Sequence, residues 1–492
     1  MSELKARTAK TLKWNTIDRV ASQVLYGLSG IVLANLLSKE DFGLVGVLAV
    51  FQAFAILFVD SGFGSALLQK KEPDNDDYST VFWFNLIVSA VVYTILYFSA
   101  PAIAHFFNAP QLTSLSRVMF LTFVLTGLGI VQTNRLMKQM DVKQIAIADL
   151  FALSVSACLG IALAIAGAGA WAIVWQSVAL AALKSGWLWA TGHWSPKLVF
   201  SRSSLHDIKR IGLSVFATQF FNTVFLNVYQ FVIGKWYSLT QLGSYTQADK
   251  WSKMGSASLS QIFTSSFVPL LAKVQDDIAT FHRYMQRIDR FSALLAFPAL
   301  TIVAACGESI FHFLFGTKWD TAIPIFRILC IRGIGVVFIS LYSNFIMSLG
   351  HGKQIVIIEI VKDVSTAVAL LATVFTMSLE ALVWGQLAAT LATWIAAAII
   401  ASHTTGYRLR EFVSDIFPFA FSALVVFLVI DVIPIPSGSI TRPLNIASLA
   451  ALSIQCLTGI IVSLTVLYLF KVPELKEGYT LILTRLGKRE SH

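Results

Sequence analysis

The sequence predicts an all-α, polytopic membrane protein with about fourteen transmembrane helices, arranged as two six-helix lobes and two extra C-terminal helices. Three observations predict this fold class. Hydrophobic residues make up 56% of the 492 residues and charged residues only 13%, unlike a soluble domain. Apolar runs long enough to cross a bilayer follow one another, with short polar turns between them. The two halves of the chain also share an ordered set of polar residues.

One apolar run, from Phe42 to Leu68, has the pattern that the rest of the chain repeats. Its roughly 27 residues suffice to cross a bilayer as a tilted helix. Asp60 interrupts the run just before Ser-Gly-Phe-Gly. An acid inside a span is costly, so Asp60 either binds a proton or Na⁺ or accepts hydrogen bonds from amides freed where the glycines loosen the helix.

The remaining spans follow by the same criterion. All are expected to be helices, because lipid offers no hydrogen-bond partner to the backbone outside the segment. The predicted spans are 13–37, 42–68, 79–105, 112–133, 145–167, 169–190, 211–236, 243–271, 288–315, 321–349, 355–377, 380–401, 414–433 and 446–470.

The distribution of lysine and arginine predicts the orientation. One set of loops holds roughly 25 of these residues and the opposite set about 4, so both termini are expected in the cytoplasm. The net charge of +10 then reflects this bias and attraction to anionic headgroups, and needs no nucleic acid partner. The first residues, MSELKARTAKTLKW, lack the apolar core of a signal peptide and predict a helix on the cytoplasmic face.

An internal repeat relates the two halves of the chain. The stretch 38–43 recurs at 238–243, and Arg117 aligns with Arg327. An even number of helices separates the copies, which predicts a parallel repeat about an axis along the membrane normal with a central cavity. Chance similarity between hydrophobic helices is the alternative. Further polar matches in the same order are Asn134 with Asn344, Lys143 with Lys353, Gln144 with Gln354, and Asp149 with Glu359.

The repeat also predicts the domain organisation. Two such lobes are typical of transporters that rock between inward-open and outward-open forms. The predicted segments are an N-terminal lobe (1–190), a cytoplasmic linker (191–210), a C-terminal lobe (211–401), two extra helices (402–470) and a cytoplasmic tail (471–492).

Three arginines inside the predicted spans are candidate ligands for an anionic substrate. Arg332 lies about eleven residues into its span with no acid one turn away, which favours a water-filled lumen over a partner on another helix. Arg117 and Arg327 lie nearer the periplasmic end, where snorkelling to the interface is the alternative.

Two lysines of one span, Lys250 and Lys253, extend this candidate binding site. Asp249 is placed one turn from Lys253, so a structural ion pair is the alternative. A lumen with several cations suits an anionic ligand such as a pyrophosphate or acidic sugars, and arginine can bind phosphate through two hydrogen bonds.

Three acids are candidates for cation coupling: Asp60, Asp149 and Glu359. Asp149 has no basic residue one turn away on its own helix. Glu359 lies beside Lys362 and Asp363, where a local salt bridge is the alternative.

Other chemistry is not indicated. The four cysteines lie in apolar runs without paired spacing, so neither disulfides nor a zinc site is predicted. The chain has no Walker A, HExxH or GxSxG pattern. We therefore expect no catalytic residue, metal or cofactor, and transport driven by an ion or substrate gradient rather than ATP.

Several stretches closely resemble one family. They are LSKEDFGLVGVLAVF, DSGFGSALLQKKE, STVFWFNL, NRLMKQMDVKQIAIADL, GSYTQADKWSKM, SSFVPLLAKVQDD and LFGTKWDTAIPIFRIL. They resemble Wzx-type polysaccharide flippases, most like the colanic-acid and exopolysaccharide exporters of the multidrug/oligosaccharidyl-lipid/polysaccharide exporter superfamily. The resemblance covers roughly residues 1–410 and weakens over the last two spans.

The resemblance implies a function. Such proteins flip undecaprenyl-pyrophosphate-linked oligosaccharide units across the bacterial inner membrane, through a cationic lumen, for exopolysaccharide or lipopolysaccharide biosynthesis. Its implied partners are this lipid-linked oligosaccharide, membrane lipids, and the polysaccharide polymerase and export machinery. Asp60 and Lys250 fall where relatives often carry an acid and a base.

The sequence leaves three alternatives to a flippase working by alternating access. A cation-coupled drug or metabolite exporter of the same superfamily would need an acidic, aromatic cavity. A membrane-embedded polysaccharide polymerase or ligase would need a large periplasmic loop, and the longest such loop here, about residues 434–445, is short. A structural scaffold would not need charges buried in spans.

Overall fold

The computed structural model describes residues 2–60, 64, 67–68, 70–192, 194–433 and 443–475. The chain divides into two compact units, Met1–Gly243 and Ser244–His492. The helices are α1 (Ser2–Leu36), α2 (Lys39–Asp60), α3 (Asn75–Phe106), α4 (Leu112–Met119), α5 (Leu121–Lys138), α6 (Val142–Ile165), α7 (Ala170–Thr191), α8 (Arg202–Trp236), α9 (Leu239–Ala272), α10 (Ile278–Ala305), α11 (Gly307–Phe315), a 3-10 helix (Gly316–Ala322), α12 (Ile323–Ser348), α13 (Gly352–Val374), α14 (Leu379–Thr405), α15 (Leu409–Asp431) and α16 (Ile446–Leu469).

These helices form a membrane fold. In the described chain, nine helical segments are long and apolar enough to cross a membrane. Large apolar side chains such as Phe98, Phe375 and Ile446 are exposed on the outside of the helices, where lipid suits them better than water. When α4–α5 and α11–α12 each count as one span, the long helices match the predicted spans one for one. The predicted all-α, polytopic fold is confirmed.

The repeated turn caps its two helices in the same way. The amide and hydroxyl of Ser38 donate to Asp41 Oδ2 at 2.9 and 2.7 Å, and the amide of Asp41 donates to Ser38 Oγ at 3.1 Å. Ser238 and Gln241 form the same reciprocal pair at the start of α9, at 3.1 to 3.2 Å. Each pair satisfies backbone amides that a helix start leaves free. This capping position requires only an oxygen acceptor, so the carboxylate of Asp41 and the amide oxygen of Gln241 can fill the same role.

Several predicted spans differ from the structure; α1 and α8 begin 11 and 9 residues before the spans 13–37 and 211–236. The span 112–133 is divided between α4 and α5, where the hydroxyl of Thr122 donates to the carbonyl of Met119 at 2.7 Å and competes with the backbone ladder. The span 288–315 begins ten residues earlier, because Asp277 caps α10 by accepting from the amides of residues 279 and 280. It then ends at Ala305, and α11 forms a separate short helix.

In the first unit, the segment after α7 is tied to the helices beside it. Gln132 donates to the carbonyl of Trp194 at 2.9 Å, Arg135 to that of Gly192 at 3.0 Å, and Trp83 to that of Lys197 at 2.8 Å. The helix α8 packs along α2 and α3 in this unit. The units meet in sequence after Gly243, whereas the sequence predicts a linker at 191–210; the predicted domain assignment stays a prediction.

In the second unit, the core lies among α9, α10, α12, α14 and α15. Phe338, Tyr342 and Phe412 are buried at its centre, and the rings of Tyr342 and Phe412 lie 4.9 Å apart between centroids. Tight aromatic packing of this kind fixes the depth of the neighbouring polar side chains on α12.

Substitutions at Gly43 and Gly243 test whether the close backbone approach at the repeated turn is required for stability. A Cβ added at Gly43 would overlap the carbonyl oxygen of Leu239, and one at Gly243 would overlap that of Lys39. We expect Gly43→Ala and Gly243→Ala to lower the melting temperature in detergent, because overpacking costs about 1–3 kcal/mol. Gly186→Ala, in α7 with no atom within 4 Å of the added Cβ, is the control and should leave stability unchanged or raise it slightly. If all three variants melt alike, the close approach is not a structural requirement.

Candidate functional site

Arg332 lies on α12 in the second unit and is half-buried. Its Nε donates to Thr390 Oγ1 on α14 at 3.1 Å, and the Thr390 hydroxyl donates to the carbonyl of Gln386 at 3.0 Å. Among the described residues, no carboxylate lies within 4 Å of its guanidinium. The structure therefore places this charge beside a neutral hydroxyl rather than an acid.

Two glycines fix the position of Arg332. A Cβ at Gly333 would lie 3.0 Å from Ser256 Cβ on α9, and a Cβ at Gly335 would lie 2.9 Å from Thr390 Cγ2 on α14. The small residues let the backbone of α12 approach both neighbouring helices closely. Arg332 is consequently held at the level of Ser256.

The two lysines of α9 lie on the same helix as Ser256. Lys253, three residues before it, pairs with Asp249 at 2.6 Å and is 47% exposed, whereas the Asp249 side chain is 5% exposed. Lys250 Nζ lies 5.5 Å from the ring centroid of Trp251 and is half-buried. The ion-pair alternative for Lys253 is therefore what the structure contains.

The repeat-related arginines have similar backbone contacts and different charge partners. Arg117 Nε lies 3.4 Å from the carbonyl of Tyr97, and its guanidinium lies 4.5 Å from the Tyr97 ring centroid. Arg327 likewise reaches back to a carbonyl, that of residue 305 at 3.4 Å. It also pairs with Asp431 at 3.2 Å and with Glu308 at 3.6 Å. Arg327 thus links α11, α12 and α15 through two partly exposed carboxylates.

Asp149 is paired across helices in the first unit. Its Oδ1 lies 2.5 Å from Lys184 Nζ on α7, and the two side chains are 25% and 35% exposed. Asp18 on α1 lies within electrostatic range of both groups and accepts from Ser22 Oγ at 3.1 Å. The sequence reasoning overlooked Lys184, although a lone lysine inside an apolar span was the signal that would have found it.

The structure describes the side chain of one of the other two acidic candidates, Glu359, but not that of Asp60. Glu359 forms an ion pair with Lys362 one turn along α13, so the predicted local salt bridge is present. A neighbouring acid, Asp363, has a buried Oδ1 without a hydrogen-bond partner. The side chain of Asp60 lies outside the described residues, and its role stays a prediction.

A polar cluster that the sequence reasoning missed lies among α10, α14 and α15. Asp415 Oδ1 accepts from Arg290 Nε at 2.7 Å and from Gln286 Nε2 at 3.2 Å. Its Oδ2 accepts from the phenol of Tyr407 at 2.6 Å. Burial, together with this hydrogen bond, raises the pKa of Tyr407 well above its ordinary value, so that it remains a donor. Arg290 also lies 3.7 Å from Glu474, which follows α16.

Asp289 adjoins this cluster and is fully buried. Neither of its carboxylate oxygens has a hydrogen-bond partner, and Tyr342 and Asp415 are its polar neighbours. Asp289 lies inside the predicted span 288–315, but the sequence reasoning did not select it as a candidate. Among the described residues, no group of three or more His, Cys, Asp or Glu is arranged to hold a metal ion.

The fold and these buried charges define a class: a multi-pass membrane protein with a transporter fold. A similar solved structure is the lipid II flippase MurJ in an inward closed conformation, with a TM-score of 0.74 at 13% identity, covering 94% of this chain and 99% of that one. An inward-facing multidrug resistance transporter of the MATE family has a TM-score of 0.58 at 18% identity, covering 78% and 96%. At such identities the likeness establishes the fold alone.

The chain belongs to the polysaccharide biosynthesis protein family, whose model matches residues 32–324. Relatives include the teichuronic acid biosynthesis protein TuaB of Bacillus subtilis (strain 168), 24% identical over 342 residues, which are 69% of this chain and 71% of the relative. The succinoglycan biosynthesis transport protein ExoT of Rhizobium meliloti (strain 1021) is 22% identical over 376 residues, 76% of each chain. The lipopolysaccharide biosynthesis protein WzxC of Escherichia coli (strain K12) is 24% identical over 341 residues, 67% and 68%. The resemblance to polysaccharide flippases is confirmed.

The Asp415 cluster predicts a stability effect. Asp415→Ala would leave the donors of Arg290, Gln286 and Tyr407 without their shared acceptor, and breaking a buried ion pair costs about 3–5 kcal/mol. We expect a lower melting temperature and less folded protein in membranes. Asp276→Ala removes an exposed carboxylate and is the matched control. Equal melting temperatures for the two variants would mean that the cluster contributes no stability.

Proposed function

We propose that this protein is a flippase that moves undecaprenyl-pyrophosphate-linked oligosaccharide repeat units across the bacterial inner membrane by alternating access. The products would serve exopolysaccharide or lipopolysaccharide biosynthesis. Family membership supports polysaccharide biosynthesis, and the names of the relatives ExoT and WzxC refer to transport and lipopolysaccharide biosynthesis. The observation that carries the proposal is Arg332, a half-buried cation inside a membrane helix without a carboxylate partner among the described residues.

The geometry of Arg332 suits a diphosphate. Its Nε is occupied by Thr390, which orients the guanidinium plane. The two terminal nitrogens then remain to donate to phosphate oxygens in the bidentate manner that arginine favours. Thr390 is therefore a positioning residue, and Arg332 is the group expected to touch the substrate midway through transport.

The remaining cations would act after Arg332. Lys250 and Lys253 precede Ser256 on α9, so in the predicted orientation they lie on the periplasmic side of Arg332 and would accept the diphosphate from it, with Lys253 exchanging Asp249 for phosphate. Arg117 and Arg327 would pass it outward. Because Arg327 already pairs with Asp431 and Glu308, binding there requires an exchange of partners, which favours release over tight binding.

A cation gradient is the proposed energy source, and the Asp149–Lys184 pair is the strongest coupling candidate in the described first unit. Lys184 forms an ion pair with Asp149, and Asp18 lies within electrostatic range of both groups. A proton or monovalent cation entering between the two acids would compete with the Lys184 ammonium. Asp60 and Glu359 remain further candidates from the sequence.

The proposal also covers partners and location. The protein would lie in the inner membrane with both termini in the cytoplasm, beside the polysaccharide polymerase and the export machinery. The drug-exporter alternative is disfavoured because Arg332 has no carboxylate partner among the described residues, and this cation would repel an organic cation. The family membership and the transporter fold favour transport over an enzymatic polymerase or ligase.

Arg332 provides the direct mutational test. Losing charge-assisted hydrogen bonds worth about 1.5–3 kcal/mol each should lower transport by about 10- to 100-fold or more. Arg332→Gln should therefore nearly abolish surface polysaccharide in a strain that lacks its own copy, and Arg332→Lys should retain part of it. The measurement is surface polysaccharide normalised to the amount of folded protein in membranes.

Arg410→Gln is the control for charge. Arg410 is exposed at the start of α15, so its loss should leave polysaccharide at the wild-type level. Normal surface polymer in a strain that carries Arg332→Gln would remove Arg332 from the mechanism.

The Asp149–Lys184 pair allows a charge-exchange test. Asp149→Asn and Lys184→Gln should each lower transport, since each leaves an unbalanced charge between α6 and α7. The exchange variant Asp149→Lys with Lys184→Asp restores the pair and should restore folded protein. If coupling depends on the acid being at position 149, transport should stay low in this variant. Full recovery of transport would make the pair purely structural.

A further inference from the structure

Two of the four cysteines meet in the second unit. Cys306 and Cys456 are 150 positions apart in the chain, and their Sγ atoms lie 3.9 Å apart. Their sequence spacing predicts no pairing, because the pairing depends on how α16 packs against the joint of α10 and α11. In the structure both are free thiols, as the sequence predicts, and the fold adds their proximity.

The contacts on either side of Cys456 fix its register. Ser309 Oγ donates to Gln455 Oε1 at 2.6 Å, one residue before Cys456. Three residues after it, a Cβ at Gly459 would lie 2.9 Å from Ile302 Cγ1, so the α16 backbone lies directly against α10. A shift of α16 along its axis would break both contacts, and the two thiols are therefore held facing each other.

The geometry allows a covalent bond with a small movement. A disulfide has its sulfur atoms about 2.05 Å apart, so the two Sγ atoms would have to approach by about 1.9 Å. Cys306 lies at the joint between α10 and α11, where the backbone has φ −76° and ψ 4°. Side-chain rotation at both cysteines, with a slight adjustment of this joint, can supply the approach.

Cys306 is buried, whereas Cys456 is partly exposed and is the thiol that an oxidant can reach first. Cys306 lies two residues from Glu308, which pairs with Arg327; Asp431 at the end of α15 completes this partly exposed charged group. In the orientation predicted from lysine and arginine, this end of the second unit faces the periplasm. Disulfides form and persist in that compartment.

We infer that Cys306 and Cys456 form an intramolecular disulfide that joins α16 covalently to the α10–α11 joint. The oxidant would be a disulfide-bearing protein or small molecule of the periplasm. One cysteine thiolate attacks that disulfide, forming a mixed disulfide and releasing one thiol of the oxidant. The second cysteine thiolate then attacks the bound cysteine sulfur and releases the other thiol. The two cysteines lose two electrons and two protons, and the oxidant becomes a dithiol.

The bond would stabilise the C-terminal helix. In the described structure much of α16 faces outward, and side chains such as Ile461 and Leu464 are exposed. A crosslink between residues so distant in sequence removes many conformations from the unfolded chain. The inference concerns the attachment of α16 and is independent of the proposed substrate.

The test counts oxidised thiols in the full-length protein. Membranes prepared without reductant, before and after treatment with diamide, are quenched in acid and denatured in detergent. Free thiols are blocked with N-ethylmaleimide, and disulfides are then reduced and labelled with a polyethylene glycol maleimide. We expect two labels per wild-type chain after diamide, and none in Cys306→Ser or Cys456→Ser.

A matched control uses the other two cysteines. The double variant Cys158→Ser with Cys330→Ser should still acquire two labels, because both removed cysteines lie outside the pair. Peptide mass spectrometry of the wild-type chain identifies the crosslink without any variant, by a linked peptide containing Cys306 and Cys456. The inference is overturned if no such peptide is found after diamide, if labelling survives in Cys456→Ser, or if the crosslink joins two chains.

Discussion

The cost of placing a charge within a bilayer is the constraint on which this structure depends. Several charged side chains in the described helices meet that cost through an ion pair, either one turn away, as for Asp249 and Lys253, or on a neighbouring helix, as for Asp149 and Lys184. Arg332 differs, because a threonine hydroxyl orients it and no described carboxylate neutralises it. The pairs join neighbouring turns or helices, and we propose that the guanidinium of Arg332 binds the substrate.

The difference between paired and unpaired charges decides which residues we propose to bind the substrate. Family membership indicates polysaccharide biosynthesis, and we propose that the protein moves a lipid-linked intermediate of that synthesis across the membrane. An anion passing through the protein needs cations that are not already committed to acids. The candidates then form a series of decreasing availability, from Arg332 through Lys253 to Arg327, which has two carboxylate partners. Because these cations differ in how strongly they are paired with acids, a substrate can bind to each and leave again without being held too tightly at any one of them.

The sequence predicted the features that depend on local chemistry. Apolar length located the spans, and the reciprocal caps at Ser38 and Ser238 appear in the sequence as a repeated turn. The Asp249–Lys253 pair was predictable because both partners lie on one helix. Contacts between helices were not: Lys184, Asp415 and the Cys306–Cys456 contact depend on which helices become neighbours and at what register. The break between α4 and α5 at residue 120 lies where the hydroxyl of Thr122 competes with backbone hydrogen bonds. A hydropathy pattern cannot predict such a hydrogen bond.

The distribution of lipid-linked oligosaccharide between the two leaflets of the inner membrane tests the account most directly. The measurement compares a strain that lacks this protein with the same strain after the gene is restored, using a membrane-impermeant sugar-modifying reagent on oriented vesicles. The account predicts that the intermediate accumulates only on the cytoplasmic leaflet without the protein and reaches the periplasmic leaflet when it returns. An intermediate that reaches the periplasmic leaflet equally in both strains would contradict it.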